Sequence, residues 1–469
     1  MAEPRESLTA SGIAGPHWVR YGTAADQRYL IGDFRDTYDQ LVVNGNMVAQ
    51  MPSALSQFIT QRAQKPFVID PQTHAFAHDL EHLRSTSASS AGEVKRSWKK
   101  LIDKYGNTLS DVLLTEDRPL DPSDFDNESQ RREFAENVLL FQKDAITREI
   151  EEGEDREYLE FLQEETDENP FIKPPELLIA PYFFIDGPLR EEWFQLNLKF
   201  LSDSRSFLES KGVELPLAAQ IVLSKEVLFD DDLREKMVDA YIDENPDVVL
   251  LWIDQFSEHT ASESHLSHFI ALLERFAGRG ISVVNLYGGF FSVALARFSA
   301  TLEGRLAAVC HGLEYGETRP VIPLGGGVPV ARFYSRQLHH RLPPRVAYRS
   351  IDELGGLESA DAFHRIICNC PNCKEVVQNA PKADIQSYFE VRESTFWRAG
   401  KRVAMDFPTA KASENCTKHY MWCKEGEYRN PDMTLDSIRL ELDRADEQLR
   451  KIIGVDYAGH PRVWSKVLK

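Results

Sequence analysis

The chain has 469 residues, of which 42% are hydrophobic and 27% are charged, and these values exclude both a single small domain and a disordered protein. The first residues contain no apolar signal segment, and no stretch approaches the roughly 18 consecutive apolar residues that a membrane span needs. We therefore expect a soluble, cytoplasmic protein without a membrane partner. The formal net charge is -20, so any nucleic acid would have to be bound by a local basic patch.

From about residue 65 onward, short runs of β-branched and aromatic residues alternate with segments of helical periodicity. Near-continuous apolar runs separated by helices are typical of a parallel sheet covered on both faces. Eight such runs fit an α/β fold of the (β/α)8 TIM barrel type, and an open doubly wound sheet is the alternative. The predicted strands are Phe67–Asp70, Leu177–Asp186, Ala218–Ser224, Val248–Asp254, Val283–Gly289, Ala307–Gly312, Val321–Gly325 and Arg345–Ser350.

Over 100 residues separate the first two predicted strands, which indicates a helical, charge-rich insertion at about 88–172. Residues 142–170 in it hold 12 acidic and 3 basic residues. Such a run is typical of a solvated helix face, and partner docking or exclusion of nucleic acid is the alternative.

Three of the six cysteines lie within one short segment, as Cys368, Cys370 and Cys373. This Cys-x-Cys-x-x-Cys spacing lets three sulfurs converge on one ion, and a Cys3His set is an ordinary structural zinc site. Such a site is closed, so it would hold a subdomain together and would not activate water. Unligated cysteines and an iron–sulfur cluster are the alternatives. The fourth ligand is expected to be His419, with Cys416 or Cys423 in its place as alternatives.

These features predict four regions. An N-terminal segment spans 1–64, a barrel with its insertion spans 65–360, a zinc-binding subdomain spans 361–430, and a C-terminal helix with its tail spans 431–469.

Acidic side chains follow several of the predicted strands. In a barrel the reacting groups lie at the carboxyl ends of the strands, where an acid can serve as nucleophile, general acid or general base. A single acid at such a position could instead cap the following helix. The candidate catalytic residues are Asp70, Asp186, Asp254 and Glu314.

Two further segments are candidates for substrate binding. Tyr287, Gly288 and Gly289 follow another predicted strand, where absent side chains would let a flat ligand approach the backbone and the tyrosine could stack on a base. A plain strand-to-helix turn is the alternative. Residues 330–350 hold five arginines and no acid, which favours a phosphate-binding track, with a salt-bridging surface as the alternative. The arginines assigned to substrate are Arg332, Arg336, Arg345 and Arg349.

A barrel with a late Cys-x-Cys-x-x-Cys and a Thr-x-His at Thr417–His419 resembles the tRNA-guanine transglycosylase family. The resemblance implies zinc ligands at Cys368, Cys370, Cys373 and His419. The segment 286–293 (LYGGFFSV) is similar to the Gly-Gly-Leu-Ser-Val-Gly-Glu loop with which the family holds the base, although the closing Gly-Glu is missing. Members of this family exchange guanine in a polynucleotide for a 7-deazaguanine; one aspartate attacks C1′ of the sugar and a second acts as acid–base.

The chain departs from the family at its aspartate segments. Asp70-Pro71-Gln72-Thr73-His74 stands where the family has Asp-Ser-Gly-Gly-Phe-Gln, and the Asp-x-Phe-Asp nucleophile segment has no clean copy. These changes and the large insertion resemble the divergent paralogues that put 7-deazaguanines such as preQ0 into DNA.

The expected function is therefore DNA-guanine transglycosylase, with Asp70 and Asp254 as the first-choice aspartates and a covalent aspartyl-nucleoside intermediate. Its expected partners are DNA, the deazaguanine base and proteins of a DNA-modification cluster. The alternatives are a tRNA-guanine transglycosylase and a catalytically silent, nucleic-acid-binding subunit of a heteromer.

Overall fold

Parallel β-strands form the largest element of the computed structural model. The structure describes residues 12–22, 24–87, 90–147, 174–299, 306–313, 317–323, 331–398 and 401–468. The chain divides into two units. The sheet unit comprises Met1–Phe256, His268–Gly288 and Leu295–Leu324, and the cysteine unit comprises Ser257–Ser267, Gly289–Ala294 and Gly325–Lys469.

Within the described residues, one sheet of the sheet unit contains nine strands: β1 (His17–Tyr21), β2 (Gln40–Asn44), β3 (Phe67–Asp70), β4 (Leu178–Ile179), β5 (Phe184–Ile185), β6 (Leu217–Leu223), β7 (Val248–Ile253), β8 (Ser282–Asn285) and β9 (Ala308–Gly312). The strand order is β3-β2-β1-β9-β8-β7-β6-β4, and β5 also pairs with β6. All of these pairings are parallel. Because β4 and β5 pair with successive parts of β6, they share one strand position. The result is a curled, half-barrel sheet with eight strand positions.

The helices, in chain order, are α1 (Gly45–Gln50), α2 (Pro52–Gln57), α3 (Arg96–Tyr105), α4 (Asn107–Ser110), α5 (Glu128–Asp144), α6 (Arg190–Lys211), α7 (Lys225–Phe229), α8 (Asp231–Asp243), α9 (Glu263–Ala277), α10 (Phe290–Arg297), α11 (Pro344–Glu353), α12 (Ala360–Ile366), α13 (Pro371–Val376), α14 (Pro381–Asp384), α15 (Ala410–Arg429), α16 (Leu435–Ile453), α17 (Val455–Ala458) and α18 (His460–Val467). Short 3-10 or π turns occupy Ala24–Tyr29, Gly32–Thr37, Phe58–Ala63, Thr73–Ala77, Leu80–Leu83, Asp111–Thr115, Pro122–Phe125 and Ile385–Tyr388. Within the described residues, no helix combines the length and the apolar character that a membrane crossing requires.

One buried apolar cluster lies on one face of the curled sheet. Alternate strand residues such as Trp18, Val42 and Val68 belong to this cluster. Because side chains alternate along a strand, the residue two positions later on each of these strands points to the same face. Those residues are Arg20, Asn44 and Asp70, and all three are buried. Parallel strands end at the same edge of a sheet, so polar groups meet at this carboxyl edge.

The cysteine unit combines two antiparallel hairpins with helices. The hairpins pair β10 (Phe333–Ser335) with β11 (His340–Leu342) and β12 (Val391–Arg398) with β13 (Lys401–Pro408). Helix α13 starts at Pro371, directly after Cys370, while His419 lies in the middle of α15.

Six of the eight predicted strand segments contain strands, and one prediction is wrong. Arg345–Ser350 is helical, within α11. The helix begins at Pro344, and proline favours this position because the first N–H groups of a helix have no intrahelical partner. The remaining two of the eight strand positions are those of β1 and β2, which were not predicted. No strand covers Val321–Pro323, and Leu324 and Gly325 lie outside the described residues. In the predicted insertion the described residues 90–147 are largely helical, and 148–172 lie outside the description.

Candidate functional site

Three thiols and one imidazole converge in the cysteine unit. The ligand atoms of Cys368, Cys370, Cys373 and His419 all lie within 4.8 Å of one another. His419 Nδ1 is 3.5 Å from Cys370 Sγ and 3.3 Å from Cys373 Sγ. All six cysteines of the chain are free of disulfides. The cluster can therefore hold a metal ion, as the spacing predicted.

Local backbone geometry directs the three sulfurs to one point. The Cys370 amide donates to Cys368 Sγ, and the Cys373 amide donates to Cys370 Sγ, each at 3.4 Å. In the second contact Cys370 is the N-cap of α13. Amide donors favour a thiolate over a thiol. Hydrogen bonds from neighbouring cysteines lower the pKa of the Cys368 thiol well below its usual value.

The imidazole is oriented by groups outside the cluster. His419 Nε2 donates to the Tyr334 carbonyl oxygen at 2.7 Å, and the ring stacks on Phe333 with centroids 4.3 Å apart. The proton on Nε2 leaves Nδ1 with the lone pair that a metal ion needs. Burial lowers the pKa of His419, but the thiolates of Cys368 and Cys370 raise it to about 10. Those anions thus favour a cation at Nδ1, either a proton or a metal ion.

The two alternative cysteines differ in position. Cys416 Sγ lies 3.4 Å from the Tyr388 carbonyl oxygen, outside the cluster, and burial raises the pKa of its thiol to about 12. Cys423 lies one helical turn after His419, with its Sγ 3.6 Å from His419 Nδ1 and 4.0 Å from Cys368 Sγ. Cys423 is therefore a fifth donor at the edge of the cluster, whereas Cys416 is not a candidate ligand in this geometry.

A second group of functional side chains lies at the carboxyl edge of the sheet unit. A small pocket there has a volume of about 40 Å³, enough for two or three water molecules. Among the described residues lining it, Asp70 is the only carboxylate. The other lining residues are Arg20, Gln72, His74, Ala75, His82, Trp98, Trp252, Tyr287, Arg319, Val321 and Pro323.

Asp70 is held as an ionised carboxylate. Its Oδ2 accepts from Arg20 Nη1 at 2.8 Å, and its Oδ1 accepts from the Tyr182 hydroxyl at 2.6 Å and from the Gln72 amide at 3.0 Å. Burial raises the pKa of Asp70, but the Arg20 charge, His74 and the Tyr182 hydrogen bond together bring it below its usual range. A buried carboxylate that stays charged at neutral pH can act as a nucleophile or stabilise a developing cation.

A neutral histidine is connected to this carboxylate through a tyrosine. Because the Tyr182 hydroxyl donates to Asp70, its oxygen accepts the Nδ1–H of His74, at 2.9 Å. Burial lowers the pKa of His74 to about 3. His74 therefore keeps its proton on Nδ1 and its lone pair on Nε2, the arrangement of a group that accepts a proton from a ligand.

Of the other predicted acids, Asp186 and Asp254 are absent from the described lining of the pocket. Asp254 follows β7, where its Oδ1 accepts from the Val321 amide at 2.7 Å and so fixes the segment that borders the pocket. Asp186 is exposed. Glu314 lies outside the described residues. The structure therefore brings only Asp70, of the four candidates, into the described pocket.

Of the predicted base-holding loop, Tyr287 lines the pocket. The Gly288 amide donates to the Cys310 carbonyl oxygen at 3.2 Å, so this N–H is hydrogen-bonded within the protein and is not offered to a ligand. At Gly289 the space for a side chain is taken by Glu258, whose Oε2 would lie 2.8 Å from an added Cβ. This carboxylate accepts from the amides of Phe291 and Ser292 at the start of α10. The missing side chain at Gly289 therefore makes room for a carboxylate that caps a helix. The sequence had predicted that this space would let a ligand approach.

The Gly289→Ala substitution should destabilise the protein by about 1–3 kcal/mol, since the methyl group displaces the buried Glu258 carboxylate from the helix start. Chemical denaturation measures the effect. Gly426→Ala is the matched control: nothing lies within 4 Å of its added Cβ, so this helical position should gain up to about 1 kcal/mol. Equal stability of Gly289→Ala and the wild type would contradict the assignment.

The four predicted substrate arginines are all exposed. Arg336 Nη1 donates to Asn369 Oδ1 at 3.3 Å, and Arg349 pairs with Glu353 at 3.1 Å, one turn along α11. Arg345 lies four residues before Arg349 on the same helix face. The fifth arginine of the segment, Arg341, stacks at 3.7 Å on the Tyr420 ring. The arginines Arg332, Arg336, Arg345 and Arg349 thus remain candidates for phosphate contacts.

Several residues at this site were not predicted: Arg20, His74, Tyr182, Trp252 and Arg319. For Arg20 a signal existed, since residues 17–21 (HWVRY) form a short β-branched and aromatic run in which the arginine stands two positions after a tryptophan. A charged residue in register with core residues, at the end of a strand, is typical of a site.

Comparisons of the chain with protein-family models, with curated proteins and with solved structures found no match. The chemistry of the two sites is therefore what indicates a function.

Proposed function

We propose that this protein is a base-exchange glycosyltransferase that replaces guanine in DNA by a 7-deazaguanine of the preQ0 type. The observation that carries the proposal is the buried, ionised Asp70 in a pocket with aromatic walls. A carboxylate there can form a glycosyl ester and release it again, which splits one difficult displacement into two steps.

The proposed fold is the closed (β/α)8 barrel. It is supported by strand positions that follow chain order around the sheet. A backbone hydrogen bond of 2.9 Å from the Glu176 amide, just before β4, to the Phe67 carbonyl oxygen in β3 supports closure between the two ends of the strand order. In such a barrel the reacting groups lie at the carboxyl edge, where Asp70 is found.

The exchange proceeds in two displacements at C1′ of the target deoxyribose. In the first, an Asp70 oxygen bonds to C1′, the C1′–N9 bond breaks, and its electron pair leaves with guanine, which takes a proton from water. In the second, the incoming base gives its N9 proton to Nε2 of His74 and N9 bonds to C1′. The C1′–oxygen bond breaks and Asp70 is again a carboxylate. His74 then passes this proton to the hydroxide that the first step left in the solvent, so His74 is again neutral and the exchange is balanced.

The surroundings of Asp70 suit these steps. The rings of Trp252 and Tyr287, with centroids 4.7 Å apart, offer flat apolar surfaces for a base. Tyr182 links Asp70 to His74, so the charge state of one affects the other. To reach Asp70, a guanine in duplex DNA would have to leave the stack at a cost of a few kcal/mol.

We further propose zinc as the ion of the cysteine unit, held by Cys368, Cys370, Cys373 and His419. The donor set fits, because three sulfurs and one imidazole nitrogen are the ligands of an ordinary structural zinc site. Zinc would cross-link the segment before α13 to α15 and would take no part in the reaction.

DNA as the polymer is supported by the exposed arginines of the segment 332–349, in a chain of net charge -20. The same patch could contact tRNA. A silent binding subunit would use the patch without the pocket.

Incorporation of radiolabelled guanine distinguishes these functions. Purified protein is incubated with plasmid DNA and, in parallel, with bulk tRNA, and label is counted in each polymer. We expect label in DNA. Label in tRNA alone would assign the alternative substrate, and no label in either would favour the binding subunit and overturn the enzymatic proposal.

A further inference from the structure

One edge of a buried guanidinium in the pocket has no hydrogen-bond partner within the described part of the chain. Arg20 is 4% exposed and lies on β1. Its Nη1 donates to Asp70 Oδ2 and to Asn44 Oδ1, each at 2.8 Å. Its Nε and Nη2 are buried, and neither has a hydrogen-bond partner among the described residues.

Unpaired buried donors are costly, by about 1–3 kcal/mol for each group and more when the group is charged. Nε and Nη2 form the side of the guanidinium that binds two acceptors at once in a fixed plane. The pocket that Arg20 lines therefore lacks a bidentate acceptor.

The neighbours of Arg20 restrict the nature of that acceptor. Its guanidinium carbon is 5.1 Å from the centroid of the Tyr287 ring, and this ring contacts Trp252. Aromatic walls favour a flat heteroaromatic ligand. The Asp70 carboxylate already balances the charge of Arg20, so a second anion would be repelled by it, whereas a neutral acceptor would not.

We propose that Arg20 Nε and Nη2 bind the O6 and N7 acceptors of the guanine that is exchanged. This inference rests on the proposed function and adds a specificity residue to it. Arginine pairs with the O6 and N7 of guanine in this bidentate way. The same contact would stabilise the negative charge that guanine gains as the C1′–N9 bond breaks.

The proposal predicts discrimination between bases. Plain 7-deazaguanine carries C–H at position 7 and offers Arg20 only its O6, so one N–H stays unpaired when it binds. The entering preQ0-type base differs from it, because its nitrile at position 7 is an acceptor for the second N–H. A site built to pair a polar group rejects a ligand that lacks the partner. A guanine bound beside Trp252 and Tyr287 would change the surroundings of the indole ring, so tryptophan fluorescence would report binding through Trp252.

The test is titration of the full-length protein with guanine, 7-deazaguanine and inorganic phosphate, in which tryptophan fluorescence reports binding. The wild type should bind guanine at least about 10-fold more tightly than 7-deazaguanine and should not bind phosphate in competition. Arg20→Lys keeps a cation beside Asp70 but loses the planar pair of donors, so the preference should fall below about 2-fold.

Arg234→Lys is the matched control. Arg234 is also buried, pairs with Asp231 at 2.7 Å and has an unpartnered Nε, but it lies on α8 outside the pocket lining. It should retain the wild-type preference, which separates loss of the contact from general destabilisation.

A preserved preference in Arg20→Lys, or phosphate competing with guanine, would overturn the assignment of Arg20 while leaving base exchange intact. If the wild type binds neither base, both proposals fail. Base binding with the expected preference but without incorporation of label would overturn the exchange reaction alone.

Discussion

Asp70→Asn is expected to reduce the rate of base exchange by roughly 10⁴-fold, because an amide oxygen cannot form and release the glycosyl ester. The Tyr182 hydroxyl and Arg20 Nη1 contact different oxygens of the carboxylate, at 2.6 and 2.8 Å, and asparagine keeps one acceptor oxygen, enough for one of these two donors. The measurement is the initial rate of labelled guanine entering DNA at saturating concentrations of both substrates.

Asp254→Asn provides the matched control for this prediction. Asp254 was the second expected catalytic aspartate, but its Oδ1 accepts from the Val321 amide, and an asparagine preserves that bond. Its exchange rate should stay within about 3-fold of the wild type. Loss of exchange in Asp254→Asn with retention in Asp70→Asn would reverse the assignment.

Tyr182→Phe tests the same carboxylate with a milder change, in case Asp70→Asn fails to fold. It removes one hydrogen bond from Asp70 and leaves the Arg20 ion pair in place. Exchange by Tyr182→Phe should fall by about 10-fold, with its pH dependence changed.

The pKa of Asp70 is below its usual range and that of His74 is about 3. Neither group changes charge between about pH 5 and 8 in the wild type, so the rate should be flat there with respect to both.

Removal of a metal ligand is the second large effect. Cys373→Ser and His419→Ala should each abolish stoichiometric metal and unfold the cysteine unit, since structural zinc sites contribute about 10–16 kcal/mol of apparent binding free energy. Both side chains are fully buried, within the cluster. Metal content by mass spectrometry and thermal unfolding with and without chelator measure the two effects; the wild type should carry one zinc ion per chain.

Cys416 and Cys423 allow the ligand set to be tested further. Cys416→Ser should keep the metal, because the Cys416 thiol contacts the Tyr388 carbonyl oxygen, away from the cluster. Cys423→Ser should also keep it if His419 is the fourth ligand. Metal retained in His419→Ala but lost in Cys423→Ser would assign the fourth position to Cys423, which lies 3.6 Å from His419 Nδ1.

The sequence was most informative where chemistry is local. The thiol spacing predicted the metal cluster because three ligands lie in six residues, and the long-range partner His419 was identified by its Thr-x-His context. The strands β3, β6 and β7 were predictable because their apolar runs are nearly continuous. A strand with polar residues at its buried positions lacks that signal, which is why β1, with His17 and Arg20, was missed.

Two other differences arise from contacts that a local pattern does not contain. Arg345–Ser350 contains a short run of β-branched and aromatic residues like that of a strand, yet Pro344 and the buried Ala347 and Ile351 make it a helix. Gly289 followed the pattern of a ligand loop, but Glu258, 31 positions earlier, occupies its free side. The grouping of Asp70 with Arg20, Tyr182 and His74 likewise depends on strand order in the sheet, which spacing along the chain does not show.

The central claim is that Asp70 carries base exchange on DNA. Its most direct test is nucleoside analysis by liquid chromatography and mass spectrometry of plasmid DNA incubated with purified protein and preQ0. We predict the 7-deazaguanine deoxynucleoside after reaction with the wild type and Asp254→Asn, and none with Asp70→Asn. Its formation by Asp70→Asn at the wild-type rate, or its absence with the wild type, would contradict the claim.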